Sequence, residues 1–252
     1  MKKLIINLIK FFGYKVSRIN TDLGFPIELH EDEKKIILDS SKYSLTGIAR
    51  MSALTKCLKN VLKNNIEGDF VECGVWQGGN LILSQKIFNK FSNNKKIYGY
   101  DTFSGMSEPT NFDIDYRNKS VKNMLEETKK INKEPNIWNF VDKETVTKNL
   151  ESELSMHNIK LIEGDVKNTL KNKINLPKKI SILRLDTDWY ESTKIELEEL
   201  YPLLQKNGFL IIDDYGHFKG ARKAVDEYFE KIGIHPYLHV VDYTCRIFIK
   251  NS

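Results

Sequence analysis

Long apolar runs, clustered cysteines and a strong charge of one sign are all scarce in this 252-residue chain. Each scarcity removes a class of function. No run is apolar and uncharged enough to span a bilayer, and no small-residue cleavage site follows the N-terminus, so neither a membrane span nor a signal peptide is expected. The three cysteines, Cys57, Cys73 and Cys245, are odd in number and widely spaced, which fits a reducing cytoplasm. Lys+Arg 39 against Asp+Glu 34 leaves a net charge of +5, spread along the chain, too weak an excess to argue for nucleic acid. Zinc-ligand spacing, a P-loop and a G-x-S-x-G nucleophile turn are missing as well, as are internal repeats and long low-complexity tracts.

What is present suits one large α/β domain with appendages, since 40% hydrophobic and 11% aromatic residues can bury a full core. We expect an N-terminal helical extension over residues 1–45 and a catalytic domain over 46–252, interrupted by an insertion at about 107–157. Residues 1–12 place Leu4, Ile5, Leu8, Ile9 and Phe12 on one helical face, with lysines elsewhere. That face can pack on the domain, on a second subunit of a homo-oligomer, or weakly on the anionic inner face of a membrane.

Strand-like runs at Asp69–Cys73, Ile97–Tyr100, Ile159–Ile162, Ile180–Leu185 and Phe209–Ile212 alternate with helical spacing, the mark of a parallel sheet. Two further runs, Tyr237–Val241 and Cys245–Ile249, flank Asp242-Tyr243-Thr244 as a closing hairpin, giving seven strands in all. The stretch from Ser107 to His157 is polar, with Trp138 and Phe140 as its main large apolar residues. Insertions of this kind over an active edge often select substrates.

Four carboxylates, Asp186, Asp188, Asp213 and Asp214, follow two of the buried strands and should gather at the carboxyl edge of the sheet. Such a gathering is costly unless a proton or a hard divalent cation neutralises it. Asp186, Asp213 and Asp214 can converge as oxygen ligands, while Asp188 can face a substrate hydroxyl as general base; capping of the following helices is the competing role. The loop Gly74–Gly79 joins the first strand to a helix and offers free N–H groups to a carboxylate or phosphate, though its spacing is not G-x-G-x-x-G. Asp101 ends the next strand, where an acid can accept both ribose hydroxyls of a nucleoside, and Asp165 can meet an adenine edge by the same logic. His217 is the candidate accessory acid, base or substrate contact; His30, His157, His235 and His239 read as surface or packing residues.

Five ordered segments, Ser44–Arg50, Phe70–Gly79, Asp101–Met106, Leu183–Thr193 and Ile212–Gly216, resemble the macrocin O-methyltransferase family. The resemblance runs from about Ser44 to Ile249. It implies a Rossmann-like class I methyltransferase fold, a seven-stranded, mostly parallel sheet with a C-terminal antiparallel hairpin and N-terminal helices. It also implies transfer of a methyl group from S-adenosylmethionine to a hydroxyl of a sugar or glycoside, with Mg2+ (or Mn2+). By the same resemblance Asp186, Asp213 and Asp214 bind the metal, Asp188 is the base, and Glu72, Gly74, Val75, Asn80, Asp101, Ser104, Asp165 and Val166 surround the cofactor. Asn80 stands where related enzymes often carry Ser. The acceptor, whether surface polysaccharide, lipid-linked sugar or natural-product glycoside, is not fixed by these motifs. Two other readings stay open: a metal-dependent nucleotide-sugar glycosyltransferase, because Asp186-Thr187-Asp188 has the D-x-D form, and a non-catalytic partner subunit of a glycan pathway.

Overall fold

The computed structural model describes Phe11 and residues 24–251. The amphipathic face expected over residues 1–12, formed by Leu4, Ile5, Leu8, Ile9 and Phe12, therefore lies outside the described residues. Seven strands form one sheet: β1 (Asp69–Cys73), β2 (Ile97–Asp101), β3 (Ile159–Glu163), β4 (Ile180–Leu185), β5 (Leu204–Ile212), β6 (His239–Val240) and β7 (Arg246–Ile249). Their order is β3-β2-β1-β4-β5-β7-β6. The first five pair in parallel, β7 runs antiparallel to β5, and β6 antiparallel to β7. The class I methyltransferase architecture expected from the motifs is the one observed.

Side chains of a strand alternate between faces, and both faces of this sheet are covered. Phe70, Ile97, Ile182, Phe209 and Ile211 point to one side, against α1 (Glu31–Ser41), α2 (Ile48–Lys63) and α3 (Gly79–Lys90), which contribute Ile37, Met51, Leu58 and Ile87. Val71, Cys73, Leu183, Leu185, Leu210 and Ile212 point to the other, against Leu197 and Leu200 of α7 (Tyr190–Leu200) and Val225 and Phe229 of α8 (Lys219–Lys231). The three cysteines are buried and free. Among the described residues no helix is long and apolar enough to cross a membrane.

The polar insertion is ordered by three short pieces: α4 (Val121–Glu127), α5 (Lys143–Glu153) and a turn that pairs Ile114 with Ser120. Trp138 anchors it, donating its indole N–H to the carbonyls of Leu125 and Thr128 at 3.2 and 2.8 Å. Val121 and Leu125 then pack with Trp189, Phe218 and Ala221 in a small third core. A last connecting helix, α6 (Val166–Thr169), follows β3.

Strand limits differ from the sequence reading by one residue at β2, β3 and β7 and by more at β5 and β6. β5 begins at Leu204, not Phe209, because Asn207 (φ 64°) forms an irregularity inside the strand, with its N–H bonded to the Lys250 carbonyl at 2.7 Å. β6 is only two residues long: the outer edge of the hairpin is exposed, and alternation of side chains alone does not supply ladder partners.

Candidate active site

The same alternation that builds the core delivers polar groups to the carboxyl edge. Glu72 lies two residues after Phe70, Arg184 two after Ile182, and Asp213 two after Ile211, so all three emerge on one face. Arg184 is 2% exposed and donates to Glu72 Oε1, Asp186 Oδ2 and Asp213 Oδ1, each at 2.6 Å, and to Thr46 Oγ1 at 3.1 Å. Arg50, from α2, also bonds Asp213, and its Nε reaches Asp242 Oδ2 at 2.7 Å. A cation that deep is tolerable only because these acids surround it.

Asp213 thus gives one oxygen to each arginine. The carboxylate oxygens that do come together are those of Asp186, Asp188 and Asp214, all within 4.8 Å of one another. The expected ligand Asp213 stands behind this trio, and the expected base Asp188 stands within it. Asp214 Oδ2 is buried without a hydrogen-bond partner. Burial raises all three acids above the usual carboxylate range, Asp188 to about 7, and the neighbouring carboxylates add to the effect. Three like charges at this spacing call for a cation, so the donor set fits a hard divalent metal.

The loop after β4 that presents Asp186 and Asp188 is held from below and from outside. Asp188 adopts φ 69°, a left-handed conformation that costs a non-glycine residue about 1 kcal/mol or more. Beneath it, Thr187 Oγ1 donates to Glu196 Oε1 at 2.9 Å, and burial raises the Glu196 pKa well above the ordinary carboxylate range. Outside, the insertion supplies Asp113, whose Oδ1 accepts the Tyr190 N–H at 2.7 Å while Oδ2 accepts from the Thr110 N–H and hydroxyl at 2.6 and 2.8 Å. Trp189 is buried and donates its indole N–H to the Ser107 carbonyl at 3.1 Å.

The glycine loop faces the trio across a cavity of about 400 Å³. Gly74 has φ 85°, and a Cβ there would stand 2.0 Å from the Asp186 carbonyl oxygen, so only glycine lets the two loops approach. Asp101 organises this loop: Oδ2 accepts the N–H groups of Val75 and Trp76 at 2.7 and 3.2 Å, and Oδ1 that of Phe103 at 2.8 Å. Asp165 caps α6 through the Lys167 N–H at 2.8 Å.

Of the residues expected around a cofactor, Gly74, Val75, Asn80, Asp101, Asp165 and Val166 line the cavity. Glu72 does not. It is buried beneath the cavity floor, receives Asn80 Nδ2 at 3.0 Å, and is pushed by burial up to about 7 despite the Arg184 charge. Ser104 is exposed and outside the cavity wall. Sequence reasoning missed Arg184 and Asp113 altogether. Arg184 had a signal, a charged residue within a run read as a buried strand, which demands buried partners. Asp113, one acid in a polar stretch, had none.

A family model described as Macrocin-O-methyltransferase (TylF) matches residues 27–250. The chain is 30% identical over 248 residues to the 8-demethyl-8-(2,3-dimethoxy-alpha-L-rhamnosyl)-tetracenomycin-C 4'-O-methyltransferase of Streptomyces olivaceus, covering 97% of this chain and 88% of that one. It is 30% identical over 206 residues to the demethyldecarbamoylnovobiocin O-methyltransferase of Streptomyces niveus, 81% and 74% of the two chains. Among solved structures, the O-methyltransferase NovP superposes with a TM-score of 0.70 at 28% identity over 83% of each chain.

Proposed function

The chain belongs to the macrocin O-methyltransferase family, and we propose that it transfers the methyl group of S-adenosylmethionine to a hydroxyl of a sugar or glycoside at the Asp186–Asp188–Asp214 edge. The observation that carries this reading is the meeting of that acid trio with the glycine loop of β1 across one cavity. Besides Asp214 Oδ2, two buried atoms of the cavity wall lack partners, the acceptor Asn80 Oδ1 and the donor Trp76 Nε1. The ammonium and carboxylate of a methionine-derived cofactor complement such a pair. Asp165 and Val166 line the same cavity just after β3, where the nucleoside would lie.

Asp186 and Asp214 are the proposed metal-holding groups, with Asp213 fixing the edge through Arg50 and Arg184. A divalent cation there would polarise an acceptor hydroxyl and lower its pKa. Asp188 then takes the hydroxyl proton as the oxygen forms its bond to the methyl carbon and the carbon–sulfur bond breaks. Burial and the neighbouring carboxylates raise its pKa to about 7, and a cation that offsets those carboxylates would favour the ionised form a base needs. The loop geometry enforced by Asp113, Trp189 and Glu196 keeps that carboxyl beside Asp186 and Asp214.

The test is transfer of labelled methyl from S-adenosylmethionine to a panel of glycosides, with and without chelator. In Asp188→Asn, cofactor binding by calorimetry should stay within about twofold while transfer falls by about 10²–10⁴. Unchanged turnover in that variant removes Asp188 as the base; absence of cofactor binding to the intact protein removes the reading itself.

A further inference from the structure

The outer wall of the cavity has a character opposite to its acidic floor. His217 and Tyr243 line it, with His217 Nδ1 3.0 Å from the Tyr243 hydroxyl. Tyr116 packs beside both, its ring centroid 5.2 Å from His217 and 6.2 Å from Tyr243. Tyr116 and Tyr243 are 44% and 63% exposed, so this aromatic wall is open to an incoming molecule.

Two segments are locked together to build it. Asp115 bridges Phe218, the Lys219 N–H donates to the Ile114 carbonyl at 3.0 Å, and Lys219 Nζ bonds Asn118 Oδ1. Asp115 is buried, and its Oδ1 accepts the backbone N–H groups of Arg117 and Lys119 at 2.8 Å each. Asp115 thus serves the turn, and the side chains of Arg117 and Lys219 form no salt bridge among the described residues. The Arg117 guanidinium is centred 4.9 Å from the Tyr116 ring centroid. Arg117 thus lies one ring removed from His217, which lines the cavity, with Tyr116 between them.

A molecule entering this cavity must present neutral hydroxyls to the acid trio and can carry negative charge only outward, toward the rim. A guanidinium matches phosphate oxygens in a two-pronged fashion, an ammonium adds a point charge, and an adjoining aromatic face takes a flat or apolar group attached beyond them. We propose that the acceptor is a glycosyl diphosphate, bound with its sugar toward Asp188, its diphosphate between Arg117 and Lys219, and the group beyond against Tyr116 and Tyr243. This rests on the methyl-transfer reading and deepens it. It sets the methylation after the reaction that activates the sugar and before a glycosyl transfer that consumes it. A nucleotide-linked and a polyprenyl-linked sugar share this chemistry.

Calorimetric titration of the protein holding S-adenosylhomocysteine separates the possibilities, with methyl glucoside, uridine diphosphate glucose and farnesyl diphosphate glucose as probes. At least one diphosphate should bind about tenfold or more tighter than methyl glucoside. The double variant Arg117→Gln, Lys219→Gln should lose that advantage while keeping its affinity for S-adenosylhomocysteine and methyl glucoside. Tighter binding of the uridine compound identifies a nucleotide-linked acceptor, and tighter binding of the farnesyl compound a lipid-linked one. Methyl glucoside binding as tightly as both diphosphates, or a double variant that holds them as tightly as the intact protein, overturns the proposal. Failure of S-adenosylhomocysteine to bind at all is distinguishable from either, and overturns the transfer reading beneath it.

Discussion

Replacing Arg184 by Met keeps the volume of the side chain and removes the charge on which the edge is built. Glu72 and Asp213, 1% and 3% exposed, each lose a 2.6 Å partner, and Asp186 loses another. Breaking one buried pair typically costs about 3–5 kcal/mol. Losses at three acids do not simply add. Arg50 still holds Asp213, and each abandoned carboxylate can take up a proton at about 1.4 kcal/mol per pKa unit. A destabilisation of about 3–5 kcal/mol at pH 8 is therefore expected, a large part of the roughly 5–15 kcal/mol typical of a domain. The pH dependence has a definite sign. Without Arg184 the buried acids bind protons more tightly in the folded than in the unfolded chain, so their folded pKa values are raised. That contribution is fully present below the unfolded pKa of about 4 and is lost as pH rises through the folded values. Burial already pushes Glu72 up to about 7 in the intact protein, so the loss should be smaller at pH 5.5 than at pH 8. Urea unfolding followed by circular dichroism at both pH values measures it. A variant less than about 1 kcal/mol weaker at pH 8, or equally weakened at both, would refute the view that Arg184 neutralises these acids.

Other predictions follow from single contacts. Gly74→Ala must push the glycine loop away from the Asp186 carbonyl, which its Cβ would meet at 2.0 Å, so cofactor affinity should fall by tenfold or more in calorimetry with the fold retained in far-ultraviolet dichroism. Asp113→Ala leaves the Tyr190 N–H and Thr110 without their acceptor and should cost about 1–3 kcal/mol in urea unfolding. Because Asp113 acts through the loop that carries Asp188, kcat should fall more than KM rises in the same variant, and an unchanged kcat would show that the insertion does not position that loop.

Much of this fold was legible because its strands are short, apolar and buried on both sides, so each announces itself by composition and by the acid that follows it. The carboxyl-edge acids were legible for the same reason: a strand that ends in Asp-Thr-Asp or Asp-Asp has nowhere to place those charges except the sheet edge. What each acid does was less legible, since role depends on contacts between strands far apart in sequence. Asp213 and Asp214 are neighbours, yet alternation turns the first toward Arg184 and Arg50 and the second toward Asp188. The Glu72 side chain follows Phe70 into the interior and meets Arg184, a partner 112 residues away. Inside the insertion, Asp113 and Asp115 look like any solvated acids of a polar stretch. They are buried because tertiary packing, and no local pattern, brings Tyr190 and Phe218 to them.

The charges at this edge obey a simple constraint. Glu72, Asp186, Asp188, Asp213, Asp214 and Asp242 face Arg50 and Arg184, so full ionisation leaves an excess of four negative charges in a poorly solvated place. Without further cations the edge must hold protons, and the upward displacement of Asp186, Asp188, Asp214 and Glu72 is that requirement made visible. A divalent cation and a sulfonium together bring three positive charges, which offset most of the excess. When the methyl group leaves sulfur the sulfonium charge disappears, but the hydroxyl proton arrives on Asp188 in the same event, so the edge ends as neutral as it began. Binding of metal and S-adenosylmethionine should therefore expel protons, because the acids no longer need them. Calorimetric titration of both into the protein at pH 7, repeated in buffers of different ionisation enthalpy, counts those protons. Net release, larger for S-adenosylmethionine than for the uncharged S-adenosylhomocysteine, is the expected result. Equal proton counts for the two cofactors would mean that the sulfonium does not share the field of these acids, and the carboxylates would then have to be neutralised by the protein alone.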